Sequence, residues 1–398
     1  MEPITRRAIL TAAGCAAAAP RAVAQGGKYP RDLTKEDVDR WMTELSNWGK
    51  WGADDQAGTV NLITPATRKA AAALVREGVS VSMALDADLP KEGSTGGPLP
   101  GMGGGPPRGG GNPPPAGGAP APGSAPGGAP AGAPPAPGNA PAVAGVPPTG
   151  RGQGGGMADR PTWTLTSRPP GPEPRDRASY VVDTIAVSYH GNNTTHLDAP
   201  SHMYYKGKVY NGFPQTSYTD RGAGKDDVMS MKNGILTRGV LFDIPKLKGV
   251  PFLGDEEAIF VEDLEAWEKQ AGLRVGVGDA VLVRTGRWVR VREKGPLDLN
   301  RATPGLYASC TKWLRERGVA ILGSDVVQDV RPSRVEGVNQ PIHQIGLMAM
   351  GMPLIDNADL EAVAEAASQR KRWTYLFTMN PLRVPGATGG PVNPIATF

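Results

Sequence analysis

The chain of 398 residues is long enough for one large domain or two smaller ones, and its hydrophobic content of 39% is sufficient for a core. The formal net charge is only +4 and no run is rich in Lys and Arg, which argues against a nucleic-acid-binding surface. The 54 glycines and 40 prolines are not spread evenly along the chain, so their excess describes one segment rather than the whole fold.

Residues 1–24 are predicted to be an export signal. Arg6 and Arg7 precede a mildly apolar stretch, and Ala22-Val23-Ala24 offers small residues for cleavage. The apolar stretch is too short to span a bilayer as a helix. The paired arginines favour the twin-arginine route, which predicts a periplasmic or secreted protein with no membrane span. The alternative is an N-terminus without fixed structure.

The chain has two cysteines. Cys15 lies inside the predicted signal, where lipid anchoring is an alternative to cleavage. Cys310 stands among Tyr307, Trp313 and Leu314 in a helical pattern, which favours a buried core thiol over a catalytic nucleophile. A mature chain cleaved after residue 24 would have no internal disulfide.

Helices and strands are predicted from caps, periodicity and apolar runs. The predicted helices are one capped by Thr34 that runs to Leu45, one that begins at Thr64-Pro65, runs through Leu74 and ends at Gly78, and then Val261–Gln270, Leu306–Arg317 and Ala358–Ser368. The predicted strands are Val79–Met83, Tyr180–Val187, Val240–Ile244, Ala280–Arg284, Val319–Leu322 and Trp373–Thr378. Because these elements alternate without a clean βαβ rhythm, we expect a mixed sheet in an α/β or α+β domain.

Residues 96–156 are dominated by Gly, Pro and Ala and contain few large apolar side chains. Such a segment cannot bury enough surface to offset its ordering entropy, so we predict a disordered insertion. Residues 25–95 and 157–398 would then form a single catalytic domain around it.

Histidine is scarce, and its distribution points to a site. The chain has four, and His190, His196 and His202 fall within thirteen residues. His196 and Asp198 are two apart, so in an extended segment both side chains lie on one face. Imidazole nitrogen and carboxylate oxygen together suit zinc, manganese or iron(II). Pro200 can turn the chain and bring His202 back towards that face.

Each of these residues also has a reading without a metal. His196 and Asp198 could form a buried hydrogen-bonded pair, His202 could be an ordinary surface or core histidine, and His190 could simply end a strand. We nevertheless include His190 among the candidate metal ligands. We assign His202 the role of general base and acid, because the pKa of imidazole lies near neutrality.

Two later residues complete the candidate ligand set. His343 precedes an apolar stretch, and the cluster around His196 is short of ligands without it. Asp356 would supply a second carboxylate, or would cap a helix that begins at Ala358. Asp325 and Asp329 follow a predicted strand, where solvated loop acids explain them equally well.

Other catalytic motifs are missing from the sequence. No phosphate-binding loop ends in Gly-Lys-Ser/Thr, and no Gly-x-Ser-x-Gly elbow joins a strand to a helix.

The segment His196-Leu197-Asp198-Ala199-Pro200-Ser201-His202 resembles the signature of the putative cyclase family, which includes bacterial kynurenine formamidases and isatin hydrolases. Residues 48–55 with 58–65, residues 278–286 and, more weakly, the tail 381–398 support the resemblance. It extends from about residue 40 to the end, apart from the insertion.

The resemblance implies a swivelling β/β/α-type fold in a homo-oligomer that acts on a small-molecule substrate. It implies one or two divalent metals, Zn²⁺ or Mn²⁺, held by His196, Asp198 and His343. It also implies that His202 is the acid/base residue and that an amide bond in a small aromatic compound is hydrolysed.

Two positions depart from the family pattern. Members of the formamidase type usually carry a metal-binding histidine four residues before His196, where this chain has Asn192, and His190 could substitute through a shifted loop. The late family carboxylate is usually Glu, and Asp356 is shorter. The number of metals therefore stays open.

The leading hypothesis is a metal-dependent arylformamidase-like hydrolase. The first alternative is hydrolysis of a cyclic amide or lactone, as in isatin hydrolases. The second is a non-catalytic exported metal-binding protein.

Overall fold

The computed structural model describes residues 28–86, 187 and 189–398. The predicted signal with Cys15, the predicted insertion and all of the predicted strand 180–187 except Val187 lie outside the described residues. Those expectations, and the homo-oligomer, stay predictions.

The described residues contain helices α1 (Lys35–Glu44), α2 (Pro65–Ala72), α3 (Ile244–Lys248), α4 (Val261–Ala271), α5 (Arg287–Lys294), α6 (Cys310–Arg317), α7 (Pro341–His343) and α8 (Glu361–Arg370). A π-helical segment, Gln344–Met350, continues α7. The strands are β1 (Ser80–Ser82), β2 (His196–Asp198), β3 (Tyr218–Thr219), β4 (Gly222–Ala223), β5 (Ile235–Asp243), β6 (Ala258–Ile259), β7 (Ala280–Arg284), β8 (Gly305–Leu306), β9 (Ile321–Ser324), β10 (Leu354–Asp356), β11 (Thr374–Met379), β12 (Gly389–Pro391) and β13 (Ile395–Thr397).

A mixed sheet of nine strands organises the described part of the chain, and the expectation of a mixed sheet is confirmed. The strand order is β1-β13-β11-β5-β7-β9-β10-β2-β12. The four central strands, β5, β7, β9 and β10, run parallel to one another. The pairs on either side of them, β11 with β5 and β10 with β2, are antiparallel. Two short pairs, β3 with β4 and β6 with β8, stand apart from this sheet.

Apolar side chains cover both faces of the sheet. Val240 and Phe242 of β5 belong to one buried cluster, whereas Leu241 between them belongs to the other. This alternation follows from the two-residue period of a strand. Trp267 of α4 and Trp313 of α6 pack in the first cluster, and residues of α8 pack in the second. The sheet therefore lies between two apolar layers, as expected for an α/β domain.

Capping residues mark the N-termini of α1 and α2, as the sequence predicted. The Thr34 hydroxyl accepts from the backbone N–H of Asp37, and the Asp37 carboxylate accepts from that of Thr34, which forms a capping box. Thr64 caps α2 with Pro65 in its first turn, although α2 ends at Ala72 rather than at Gly78 as predicted.

Other predicted boundaries are wrong. The helix predicted from Leu306 begins at Cys310, because Leu306 is taken up by strand β8. The helix predicted from Ala358 begins at Glu361, and its N-cap residue is Leu360. Helix α5 was not predicted. No helix of the described residues is long and apolar enough to cross a membrane.

Gly58 permits a close approach between the N-terminal segment and the end of the π-helical segment. It has φ +55°, and a Cβ there would overlap the carbonyl oxygen of Gly351. That same carbonyl accepts from the N–H of Thr59 at 3.0 Å.

We therefore expect Gly58→Ala to lower the free energy of unfolding by about 3 kcal/mol, from left-handed strain plus overpacking. The matched control is Gly249→Ala, which has φ +68° but no atom within 4 Å of the added Cβ. Its strain alone should cost about 1 kcal/mol. Urea unfolding of both variants measures the difference, and equal losses would contradict this account.

Candidate metal centre

The register of strand β2 places the central side chains. Antiparallel pairing sets His196 opposite Asp356 of β10, and Asp198 opposite Leu354. Directly paired residues project to the same face of a sheet, as do residues two apart on one strand. His196, Asp198 and Asp356 therefore share one face, and all three are buried.

His343 reaches the same place from another segment. Its Nε2 lies 3.7 Å from Asp198 Oδ2 and 3.7 Å from Asp356 Oδ2. His196 Nε2 lies 3.5 Å from Asp198 Oδ1 and 4.0 Å from Asp356 Oδ2. The two histidines and two carboxylates thus converge, and the alternative of Asp356 as a helix cap is wrong.

The outer nitrogens of both histidines are held by acceptors. His343 Nδ1 donates to Asp329 Oδ2 at 2.6 Å, and His196 Nδ1 donates to the carbonyl of Thr194 at 2.8 Å. In neutral imidazoles these bonds leave each Nε2 without a proton and directed at the carboxylates, as in most protein metal sites.

Asp329 is the functional residue that sequence reasoning left undecided. It is fully buried, and it also accepts from the backbone N–H of Ile342 at 2.6 Å. Asp325 is buried too, but its carboxylate accepts from the backbone N–H groups of Thr285 and Gly286. Neither is a solvated loop acid. The signal available in the sequence was the position of Asp329, which follows a buried strand and precedes His343 by fourteen residues.

His190 also joins the group. Its Nδ1 lies 2.9 Å from Asp198 Oδ1, without the angle of a hydrogen bond, and its Nε2 pairs with the Thr388 hydroxyl at 3.0 Å. His190 with His196 and Asp198 forms one possible metal-binding group, and Asp198 with His343 and Asp356 forms another. Asp198 is common to both groups.

His202 occupies the more open edge of the cluster. A 3-10 turn, Pro200–His202, brings it back as the sequence suggested. Its side chain is 28% exposed, and Nε2 lies 4.0 Å from Asp198 Oδ2. Its ring stacks on that of His190, with centroids 3.9 Å apart.

The donor set fits a divalent metal. Both oxygens of Asp198 and Oδ1 of Asp356 are buried with no hydrogen-bond partner among the described residues, which is costly unless a cation compensates them. Two ligands of one tetrahedral zinc ion lie about 3.4 Å apart, given bonds of about 2.1 Å. The separations of 3.5 to 4.0 Å between these nitrogens and oxygens are close to that value.

Electrostatics in the metal-free protein agree with a concentrated negative charge. Burial opposes ionisation of Asp198, but the nearby His202 and His196 outweigh it and hold its pKa below the usual range. Burial opposes the charged form of His343, but the hydrogen bond to Asp329 and the nearby Asp356 carboxylate outweigh it and raise its pKa to about 10. Burial lowers the pKa of His202, against the attraction of Asp198.

Cys310 stays outside this site. Its thiol is buried and lies 3.4 Å from the carbonyl of Ile259, and burial raises its pKa well above the usual range. The prediction of a core thiol is confirmed.

Known proteins resemble this chain in sequence and fold. A family model described as "Putative cyclase" matches residues 136–328. A crystal structure described as a novel cyclase is 26% identical, covers 89% of this chain and 100% of its own, and has a TM-score of 0.65. No curated protein matches.

Two further solved structures are more distant. Isatin hydrolase A from Ralstonia solanacearum is 19% identical and covers 59% of this chain and 81% of its own, with a TM-score of 0.42. A structure described as that of a predicted metal-dependent hydrolase from Bacillus stearothermophilus is 18% identical. It covers 59% of this chain and 86% of its own, with a TM-score of 0.36.

Removing the partner of His343 should weaken metal binding. We expect Asp329→Asn to lower the affinity for Zn²⁺ by about 10- to 100-fold, because the ring loses its charged orienting acceptor. The control is Asp359→Asn, whose carboxylate accepts from the backbone N–H of Glu361 and has no contact with His343. Competition with a chelating dye measures both affinities, and an unchanged affinity in Asp329→Asn would remove its orienting role.

Metal binding should also release a proton. Since the pKa of His343 is about 10 without metal, its proton must leave before Nε2 can bind a cation. The apparent Zn²⁺ affinity should therefore rise by about tenfold per pH unit for each proton displaced. Calorimetry in two buffers of different ionisation enthalpy counts the protons between pH 6 and 8. An affinity that does not depend on pH would contradict this picture.

Proposed function

We propose that the chain is a metal-dependent hydrolase of a small molecule. The premise is its resemblance to the putative cyclase family, which the family model and the solved cyclase structure confirm. The observation that carries the proposal is the convergence of His196, His343, Asp198 and Asp356, with unpaired carboxylate oxygens and the partly open His202 beside them.

The candidate ligands are His190, His196, Asp198, His343 and Asp356, and Zn²⁺ and Mn²⁺ both suit this set. A divalent metal at such a site polarises a carbonyl and makes water more acidic.

His202 is suited to proton transfer. Because burial lowers the pKa of His202, its ring is neutral near pH 7 and can accept a proton at Nε2. A water molecule gives its proton to His202 Nε2 as the water oxygen attacks the carbonyl carbon of an amide. His202 then passes the same proton to the leaving nitrogen as the C–N bond breaks. Stacking on His190 limits rotation of the His202 ring.

We propose an arylformamidase-like reaction, the opening of an amide bond in a small aromatic compound, as the first candidate. A cyclic amide or lactone is the second. The second is kept because His190 joins the histidine–carboxylate group here, whereas members of the formamidase type usually carry a histidine at the position of Asn192, so this chain departs from that type. The Asn192 carbonyl instead accepts from Arg287.

The first experiment compares hydrolysis of N-formylkynurenine and isatin by purified protein with Zn²⁺ or Mn²⁺. We expect turnover of one of them, abolished by a chelator. In that reaction His202→Gln should lower kcat by about 10²- to 10⁴-fold, because the general base is lost, with metal content unchanged. The control Lys206→Gln changes a surface side chain four residues away and should keep wild-type kcat.

Each other outcome excludes something specific. Intact turnover in His202→Gln would mean that another group is the base. Bound metal with no turnover of either compound would keep the metal site but reject both compounds as substrates, so that the substrate must be another one. A chain that binds no divalent metal would overturn the hydrolase proposal.

A further inference from the structure

We propose that Arg287 is a positioning residue for the candidate metal centre, which acts with Asn357 to fix the loop between His190 and His196. The proposal concerns the same site as the proposed function, but it requires only that these histidines be held in place, not that any substrate be turned over.

Arg287 is a buried cation that donates to neutral oxygens. It is the first residue of helix α5 and is buried, with only 5% of the residue exposed. Its Nη1 donates to Asn357 Oδ1 at 2.5 Å and to the carbonyl of Asp325 at 3.2 Å, and its Nη2 donates to the carbonyl of Asn192 at 2.6 Å. Burial lowers its pKa to about 10, against the attraction of Asp325 and Asp356.

Arg284 shows what an ordinary buried arginine does in this fold. It lies at the end of β7, three residues earlier, and pairs with the carboxylates of Asp243 and Glu361 at 2.8 and 2.7 Å. Those salt bridges account for its burial. Arg287 has no salt bridge among the described residues, so its burial is costly and needs another explanation.

Asn357 passes the restraint on to the loop. It directly follows Asp356 and has φ +56°, in the left-handed region that is uncommon for residues other than glycine. Its Nδ2 donates to the carbonyls of Gly191 at 2.7 Å and Thr194 at 3.2 Å. Its own carbonyl accepts from the Thr195 hydroxyl at 2.7 Å.

Together the two side chains hold the carbonyls of residues 191, 192 and 194, all between the two histidines. The Thr194 carbonyl is also the acceptor that orients His196. No helix or strand covers residues 189–195. Their conformation therefore depends on such side-chain contacts, and a preorganised loop binds metal more tightly than a free one.

The matched variants are Arg287→Met, Asn357→Gly and Arg284→Met. Asn357→Gly removes the side chain while glycine still tolerates the left-handed backbone at that position. We expect Arg287→Met and Asn357→Gly each to weaken Zn²⁺ binding by about 10- to 100-fold and to alter the visible absorption of the Co²⁺-loaded protein. Arg284→Met should lose stability yet keep its Zn²⁺ affinity within about threefold, because its contacts do not reach the loop.

A metal-free readout separates this proposal from the proposed function. Backbone amides of residues 190–196 should exchange with deuterium at least tenfold faster in both loop variants than in wild type, and at the wild-type rate in Arg284→Met. If Arg287→Met does not fold, Arg287→Lys serves instead. It keeps the charge, but its single ammonium cannot reproduce the planar fork to both Asn192 and Asn357.

Unchanged loop exchange together with wild-type Zn²⁺ affinity in Arg287→Met and Asn357→Gly would overturn the proposal. So would equal effects in Arg284→Met, which would indicate general destabilisation. If wild type binds Zn²⁺ but hydrolyses neither test compound, the proposed function fails while the positioning role stands.

Discussion

The pairing of β2 with β10 is the constraint on which the site depends. The register sets His196 opposite Asp356, and a slip of one residue would turn His196 and Asp198 to the opposite face of the sheet. Strand β12 pairs with the other edge of β2 and sets Gly389 opposite Asp198. Because β2 is held on both sides, three residues suffice to fix two of the central side chains.

Charge is the second constraint, and it follows from the first. Burying the Asp198, Asp356 and Asp329 carboxylates near one another is unfavourable unless cations or hydrogen bonds compensate them. Asp329 is satisfied by donors from His343 and Ile342, but Asp198 is not. A bound divalent cation would resolve this imbalance. The protonated ring of His343 compensates Asp329 and Asp356, and these two carboxylates raise its pKa against the effect of burial.

The sequence predicted the parts of the site that are local. The two-residue spacing of His196 and Asp198 and the turn at Pro200 are consequences of a few adjacent residues, and both are present. Asp329 could not be assigned because its role depends on a buried contact with His343, which no periodicity reveals. The helix predicted from Leu306 failed similarly, since pairing with Ile259 draws Leu306 into a strand.

The same distinction explains why Arg287 escapes sequence reasoning. On helical spacing alone it is a charged residue in the first turn of a helix, where a cation is unfavourable to the helix dipole. Asp325 offsets this by accepting from the N–H groups of Thr285, Gly286 and Arg287 at the same helix end. The arginine is thus free to face the loop. Arg287 is unfavourable in its own helix and is buried with no salt bridge in the part of the chain that the structure describes. It is best explained by the loop it holds, and that loop lies beside the candidate metal centre.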